Sequence, residues 1–397
     1  MTGLLAVVGR EFRRIFELRA AFSALIVAVA IYAVMYPQPY INEVLRKLPI
    51  AVIDQDGTET SREFVRQVDA TSDVAVAYRL PDIATAEREV FARKIEGVLL
   101  IPDNFERELL HGHQSPVALY GDASYFLVFQ RISGAVSAVA QTVGTQVEAQ
   151  RLVDIGVDPV IAAAATNPMP LTSVPIFNPE AGYATYILPG ALVLILQQTL
   201  LIGVCLLGTS PGADFRKIMP DPPSDVTIVL GKLIAYMLLE AVVVPTYLVV
   251  LPYAYGLPRL GSVWAIVVFA VPFVFAVSGL GMLLASLFRT PLIAQLSVAA
   301  VGLPFLMMSG FTWPAEMMPE AIRLLAKFVP STSAIIGFVE LSQLGAPLSV
   351  VRPQLLTLFG LGFGYCTLAL VVRARMSQAG ARASTRLTIP GMRGAVE

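Results

Sequence analysis

The chain has 397 residues, 56% hydrophobic and 14% charged, with a mean hydropathy of +0.69 and a formal net charge of −1. A soluble domain carries about 25% charged residues, so this composition excludes a chain folded wholly in water, and the near-neutral balance gives no hint of a nucleic-acid partner. Cys205 and Cys366 are the two cysteines and both lie in apolar runs, which excludes a disulfide framework and leaves two small buried hydrophobes.

The first predicted element is an amphipathic helix before Ala20. Leu5, Val8, Phe12 and Ile15 or Phe16 recur every three or four residues, while Arg10, Arg13, Arg14 and Glu17 take much of the remainder. It reads either as a solvated cap on the first span or as a helix in the cytoplasmic interface that touches a partner. An apolar run from Ala20 to Tyr36 follows. It is longer than a signal-peptide core and no small-x-small cleavage site comes after it, which predicts an uncleaved anchor.

From 37 to 182 the chain changes character. This segment holds 11 of the 28 Lys/Arg and 19 of the 29 Asp/Glu, and its length suits a separate domain. Strands are predicted at Pro49–Asp54, Val74–Tyr78, Gly97–Pro102 and Val117–Tyr120. They alternate with helices at Thr58–Asp69, where Thr60 and Glu63 form a candidate cap pair, and at Asp82–Ile95 and Asp103–Leu110. Such alternation predicts a small α/β sheet packed by helices. Tyr125 to Ile155 reads as one long helix leading back toward the membrane, and the Pro-rich stretch from Ala162 to Pro179 as a linker.

Five further apolar spans are predicted at Tyr183–Leu207, Leu233–Tyr255, Ser262–Phe288, Leu292–Gly310 and Leu355–Val372. Each is long enough for a hydrocarbon core of about 30 Å. Between the last two, Ala321–Val329 is amphipathic and Ala334–Leu344 is apolar but too short to cross, as expected of interfacial or re-entrant helices. With the N-terminus inside, the inner segments carry 13 Lys/Arg against 4 in the short outer loops. This bias places both termini in the cytoplasm and the 37–182 domain outside. The predicted fold is therefore an α-helical integral membrane protein with six transmembrane helices and a small α/β extracytoplasmic domain between the first two. Its parts are 1–36, 37–182, a five-helix bundle at 183–373 with a re-entrant segment at 311–354, and a cytoplasmic tail at 374–397.

Few residues suggest chemistry. Gly231-Lys232 is the only Gly-Lys pair; Leu233 follows it and the earlier glycine of a P-loop is missing, so ATP-driven work needs another chain. His111 and His113 read as a polar helix end rather than a metal site. Asp54 and Asp56 read as turn and cap residues, and no Gly-x-Ser-x-Gly elbow is present. Glu240 is the one acidic residue well inside a span. It reads either as a pathway or proton-relay group or as a carboxylate paired with Lys232 or another helix. Gln197, Gln198 and Gln295 are pathway candidates that read equally as interhelical hydrogen-bond partners. The loop from Gly208 to Lys232, with Asp214, Arg216 and Lys217, is either a solvated connector or a docking surface for a cytosolic motor.

Four stretches carry a family likeness: Gly9-Arg10-Glu11-Phe12; Ala51 to Asp56 followed by Thr60-Ser61-Arg62; Phe177-Asn178-Pro179-Glu180 with Pro189-Gly190; and Ser309 to Pro314 continued by Met318-Pro319 and Phe328-Val329-Pro330. In that order the chain resembles the permease subunits of type-2 ABC exporters, in the subgroup with a large extracytoplasmic domain after the first span. It departs from the family in the loop after the second span. An Arg-Glu-x-x-x-Gly-Thr-type element is replaced there by Gly212 to Lys217, and only Gly231-Lys232 is kept.

The resemblance implies a half-transporter of the bacterial inner membrane, not itself an enzyme. It would pair with a second copy or a paralogous permease, bind cytosolic ABC ATPase subunits that carry ATP and Mg, and meet membrane lipid and a periplasmic adaptor. Its own chain would hold no cofactor or metal. Arg10, Glu11, Arg13, Arg14, Asp214, Arg216 and Lys217 are the expected ATPase-facing residues. On the residues alone two other classes stay open: a proton-coupled secondary transporter using Glu240, and a non-transporting membrane scaffold.

Overall fold

The computed structural model describes residues 2–41, 44–257 and 260–387. The chain divides into two units, one from Met1–Glu43 with Pro175–Glu397, the other from Val44–Val174. The first unit opens with α1 (Thr2–Glu17) and α2 (Arg19–Tyr40), which passes through a π-helical turn at Ser23–Val27.

The second unit is a sheet with helices on both faces. Its elements are β1 (Leu48–Asp54), α3 (Glu59–Asp69), β2 (Val74–Arg79), α4 (Ile83–Phe91), β3 (Gly97–Ile101), α5 (Phe105–His111), β4 (Ala118–Gly121), α6 (Phe126–Asp154) and α7 (Pro159–Thr166). The strand order is β2-β1-β3-β4, with β1 parallel to β2 and β3 and β4 antiparallel to β3. Successive β1 residues point to opposite faces. Ile50 and Val52 join a core with Phe64, Val68, Phe105 and Ile132, while Ala51 and Ile53 pack with Ala86, Ile95 and Val98 on the other side.

The turn after β1 explains both aspartates. Asp54 Oδ1 accepts the N–H groups of Asp56 (3.2 Å) and Gly57 (2.9 Å), and Gly57 sits at φ +64°. Asp56 Oδ2 accepts the Glu106 N–H at 3.2 Å, in the first turn of α5. The cap of α3 is Thr58, whose hydroxyl accepts the Ser61 N–H. The expected Thr60–Glu63 pair is therefore displaced by two residues, because the extended backbone that a cap requires falls at Thr58 (ψ 177°). His111 and His113 also stay local: their Nδ1 atoms lie 2.7 Å from the Arg107 carbonyl and 2.8 Å from Glu108 Oε2.

Several surface carboxylates of this unit titrate below their ordinary range. Hydrogen bonds from Arg66 and Arg62 hold Glu59 down, and the Thr85 N–H at the start of α4 holds Asp82 down. A depressed folded-state pKa gives stability that is present above the unfolded value and lost as pH falls through the folded one. Protection of the α3 and α4 amides, taken relative to the intrinsic exchange rate, is therefore expected to fall below about pH 4. Salt should weaken the Glu59 part more than the Asp82 cap; protection that stays flat from pH 6 to pH 3 contradicts this.

One expectation changes in this unit, and one helix adds a candidate span. α7 occupies the front of the stretch read as linker, since Asp158 caps it by accepting from Val160 N (2.8 Å) and four consecutive alanines follow. α6 is long and apolar enough to cross a membrane, so the described helices include seven such candidates rather than the six expected. Its Val128, Ile132, Ala135 and Val136 are buried in the sheet core.

The first unit resumes with α8 (Tyr183–Thr209), the short α9 (Phe215–Ile218), α10 (Asp225–Ala254), α11 (Val263–Leu287), α12 (Pro291–Ala300), α13 (Gly302–Met308), α14 (Glu320–Ala326), α15 (Pro330–Ser342) and α16 (Arg352–Leu387). α10 begins about two turns before the apolar run predicted at Leu233, because Ser224 caps it through the Thr227 N–H (3.1 Å). It passes through a π-helical turn at Thr246–Val250, just after Pro245. α14 and α15 bend by 78° at their break, the geometry of a broken span or a re-entrant loop. α16 runs past the expected end of the last span, through the front of the 374–397 tail; 388–397 lie outside the described residues. α8 and α11 form the centre of this unit, with Leu196, Leu200, Val204, Phe269, Phe273 and Val277 in one core.

Candidate functional site

Charged residues are buried where α1 meets the ends of α8 and α10. Glu11 is fully buried and Arg14 nearly so. Glu11 Oε1 accepts the Tyr236 hydroxyl at 2.5 Å and lies 3.8 Å from Lys232 Nζ, and Oε2 accepts Arg14 Nη1 at 2.8 Å. Arg14 Nη2 donates to the Leu207 carbonyl at 2.9 Å and the Pro211 carbonyl at 3.4 Å. This satisfies a last-turn acceptor of α8, where a cation also suits the helix dipole. Lys232 Nζ donates to the Ala213 carbonyl at 3.3 Å. The buried Phe215 ring of α9 lies under both cations, 5.6 Å from Arg14 Cζ and 5.0 Å from Lys232 Nζ. One carboxylate, two cations, a phenol and three backbone carbonyls thus join α1, the 208–232 loop and α10 in one network.

The backbone makes room for it. A Cβ on Gly231 would meet Val7 Cγ1 at 2.5 Å, so glycine lets α1 lie against α10 just before Lys232. Gly212 turns the loop at φ +79°, where glycine carries no steric cost. Gly231-Lys232 is a helix-packing and ion-pair element here.

The seven residues expected at one docking surface divide. Arg10 and Arg13 are exposed, whereas Glu11 and Arg14 turn inward and offer no surface to a partner. The apolar face is also rotated from expectation: Val7 and Ile15 are its buried members, and Leu5 and Phe16 are exposed. Arg216 Nη2 binds Asp225 Oδ2 at 2.6 Å, and Arg373 Nε lies 3.5 Å from Asp225 Oδ1. Asp225 is in the first turn of α10, where a carboxylate suits the dipole. Asp214 is half-buried at the N-cap position of α9. The Lys217 side chain lies outside the described residues.

The pathway candidates do not share one site. Gln197 is buried and its Oε1 accepts the Ser331 N–H of α15 at 2.7 Å. Gln198 Nε2 donates to the Val298 carbonyl of α12 at 2.5 Å. Both hold helices together; Gln295 is exposed on α12. Glu240 is buried with Oε2 unpartnered. It does not pair with Lys232, which turns to Glu11 from about 12 Å along the helix axis. Sequence reasoning missed Tyr236 and Phe215. Tyr236 had a signal: Lys232, Tyr236 and Glu240 recur every four residues and share a face of α10. Phe215 had none, since one aromatic in a Pro-rich loop reads as solvated.

The family described as ABC-2 family transporter protein matches residues 19–371. "Inner membrane transport permease YhhJ" of Escherichia coli strain K12 is 26% identical over 345 residues, covering 82% of this chain and 85% of that protein. "Probable multidrug ABC transporter permease YbhS" of the same strain is 23% identical over 298 residues, 72% and 74% of the two chains. "Linearmycin resistance permease protein LnrN" of Bacillus subtilis strain 168 is 22% identical over 325 residues, 76% and 81%. Matched over most of its length, across α2 and the helices of the first unit, this chain belongs to the ABC-2 family of transporter permeases.

Proposed function

We propose that this permease is the membrane half of an ATP-driven exporter of the bacterial inner membrane. ABC-2 permeases work with an ATPase partner; here the partner is a separate cytosolic subunit that carries ATP and Mg, and a second copy or a paralogous permease completes the transporter. In this reading six helices span the bilayer, α6 belongs to the sheet unit, both termini are cytoplasmic, and residues 44–174 lie outside, where they meet substrate or a periplasmic adaptor. The names of the relatives, a multidrug and a resistance permease among them, favour outward transport.

The observation that carries the proposal is the network around Glu11. A push on α1 reaches the end of α8 through Arg14 and the start of α10 through Lys232 and Tyr236. Arg10 and Arg13 are the exposed cations on the same helix, placed to receive the push. The test has two parts. Tagged chain purified in mild detergent should bring a stoichiometric ATPase subunit with it. The variant Arg10→Glu/Arg13→Glu should then lower chain-stimulated ATP hydrolysis by roughly tenfold while its melting temperature holds, as expected of surface charges lost from an interface. Absence of any ATPase after crosslinking, or unchanged stimulation in the variant, would sink the reading.

A further inference from the structure

Within the bundle unit, α13, α14, α15 and the turn at 309–318 line a cavity of about 950 Å³, at the upper end of the range for ligand pockets, about 300–1,000 Å³. Most of its wall is apolar, with Phe311, Ile335 and Val339 among its members, and its four charged members are evenly split. Arg323 on α14 and Lys327 at its C-cap, about one turn apart, are exposed and form no ion pair with any described residue. Glu316 is likewise without an ion pair, and Glu340 accepts only a long bond, 3.4 Å, from Gln354 Nε2. The Thr332 hydroxyl, also in the wall, is buried without a partner. The exposed Glu316, Arg323 and Lys327 thus set charges of both signs at the edge of an apolar wall, the kind of lining that fixes a ligand's orientation by a few polar groups.

We propose that this cavity binds a zwitterionic amphiphile, a bilayer phospholipid with an ammonium headgroup. Arg323 and Lys327 take the phosphate, and their one-turn spacing lets both reach the same anion. Glu316 and Glu340 take the ammonium, and the apolar wall takes the start of the acyl chains. An anionic headgroup leaves two carboxylates facing like charge, and a cationic amphiphile leaves two cations unpaired. The zwitterion alone satisfies both pairs. The inference concerns binding by this chain and stands whether or not an ATPase drives export.

The test uses the full chain in non-ionic detergent, with dioleoyl-phosphatidylethanolamine and dioleoyl-phosphatidylglycerol supplied in equal amount and the retained lipid read by native mass spectrometry. The unaltered chain is expected to retain the ethanolamine lipid preferentially. Arg323→Gln/Lys327→Gln should lower that retention about tenfold, the loss of charge-assisted hydrogen bonds. Glu316→Gln/Glu340→Gln should remove the preference and let the glycerol lipid bind equally. Ile336→Trp, which narrows the cavity from an exposed wall position, should lower retention without changing the melting temperature. Retention of neither lipid, equal retention of both by the unaltered chain, or unchanged retention in Arg323→Gln/Lys327→Gln overturns the proposal.

Discussion

Glu11→Gln is expected to lower the stability of the folded chain by about 3–5 kcal/mol, the loss that follows when one member of a buried ion pair is removed. The substitution keeps the shape and an acceptor for Tyr236, but it leaves Arg14 and Lys232 without their shared carboxylate. Backbone carbonyls and the Phe215 ring still solvate the two cations in part, which argues for the lower end of the range. The check is reversible unfolding in mixed micelles. Adding Lys232→Met to Glu11→Gln should recover part of the loss, because one of the two stranded charges is then gone while Arg14 keeps only its backbone acceptors. Stability of Glu11→Gln within about 1 kcal/mol of the unaltered chain would mean that the network is wetter than its burial indicates. ATPase stimulation should fall with the single variant even where enough folded protein remains, since α1 is then uncoupled from α10.

Phe269→Ala is the second large effect, about 3–5 kcal/mol for emptying an aromatic site in a packed core. Phe269 is fully buried on α11, its ring 4.9 Å from Phe338 of α15 at 86°, and Phe338 meets Phe273 edge-on at 5.8 Å. Gly337 admits the ring: a Cβ there would stand 2.2 Å from Phe269 Cζ. In lipid there is no hydrophobic drive between helices, so close packing of this kind supplies the association of α11 with α15. The same unfolding assay reads the loss, and Val271→Ala, at an exposed position of the same helix, is the control expected within about 1 kcal/mol. Equal effects of the two substitutions would show that the aromatic cluster does not hold α15.

Much of the local structure was legible from the residues. The four strands of the second unit fall within two residues of their predicted positions, because β-branched runs ended by Gly, Asp or Pro carry their own boundaries. Glu240 was recognised as a charge inside a span because hydropathy makes such a residue conspicuous, whereas Lys232 was read as the end of a loop and proves to be buried on α10. Their partners were not recoverable in that way. Hydropathy also could not tell α6, whose apolar residues cover a sheet, from a helix that crosses a bilayer, since both need the same residue types.

Composition and periodicity, which act over a few residues at a time, are enough to specify a membrane chain of long apolar helices with one polar, α/β-patterned segment set among them. Which charges on α1 face inward is set instead by packing between distant segments. A helical pattern places every Arg and Glu on the wet side, yet Glu11 is buried against Tyr236, 225 residues away, while Arg10 beside it is exposed. The reason is physical: a buried charge is tolerated only where a partner waits for it, and that partner comes from another helix whose approach, here across Gly231, is set by packing rather than by neighbouring residues in the chain.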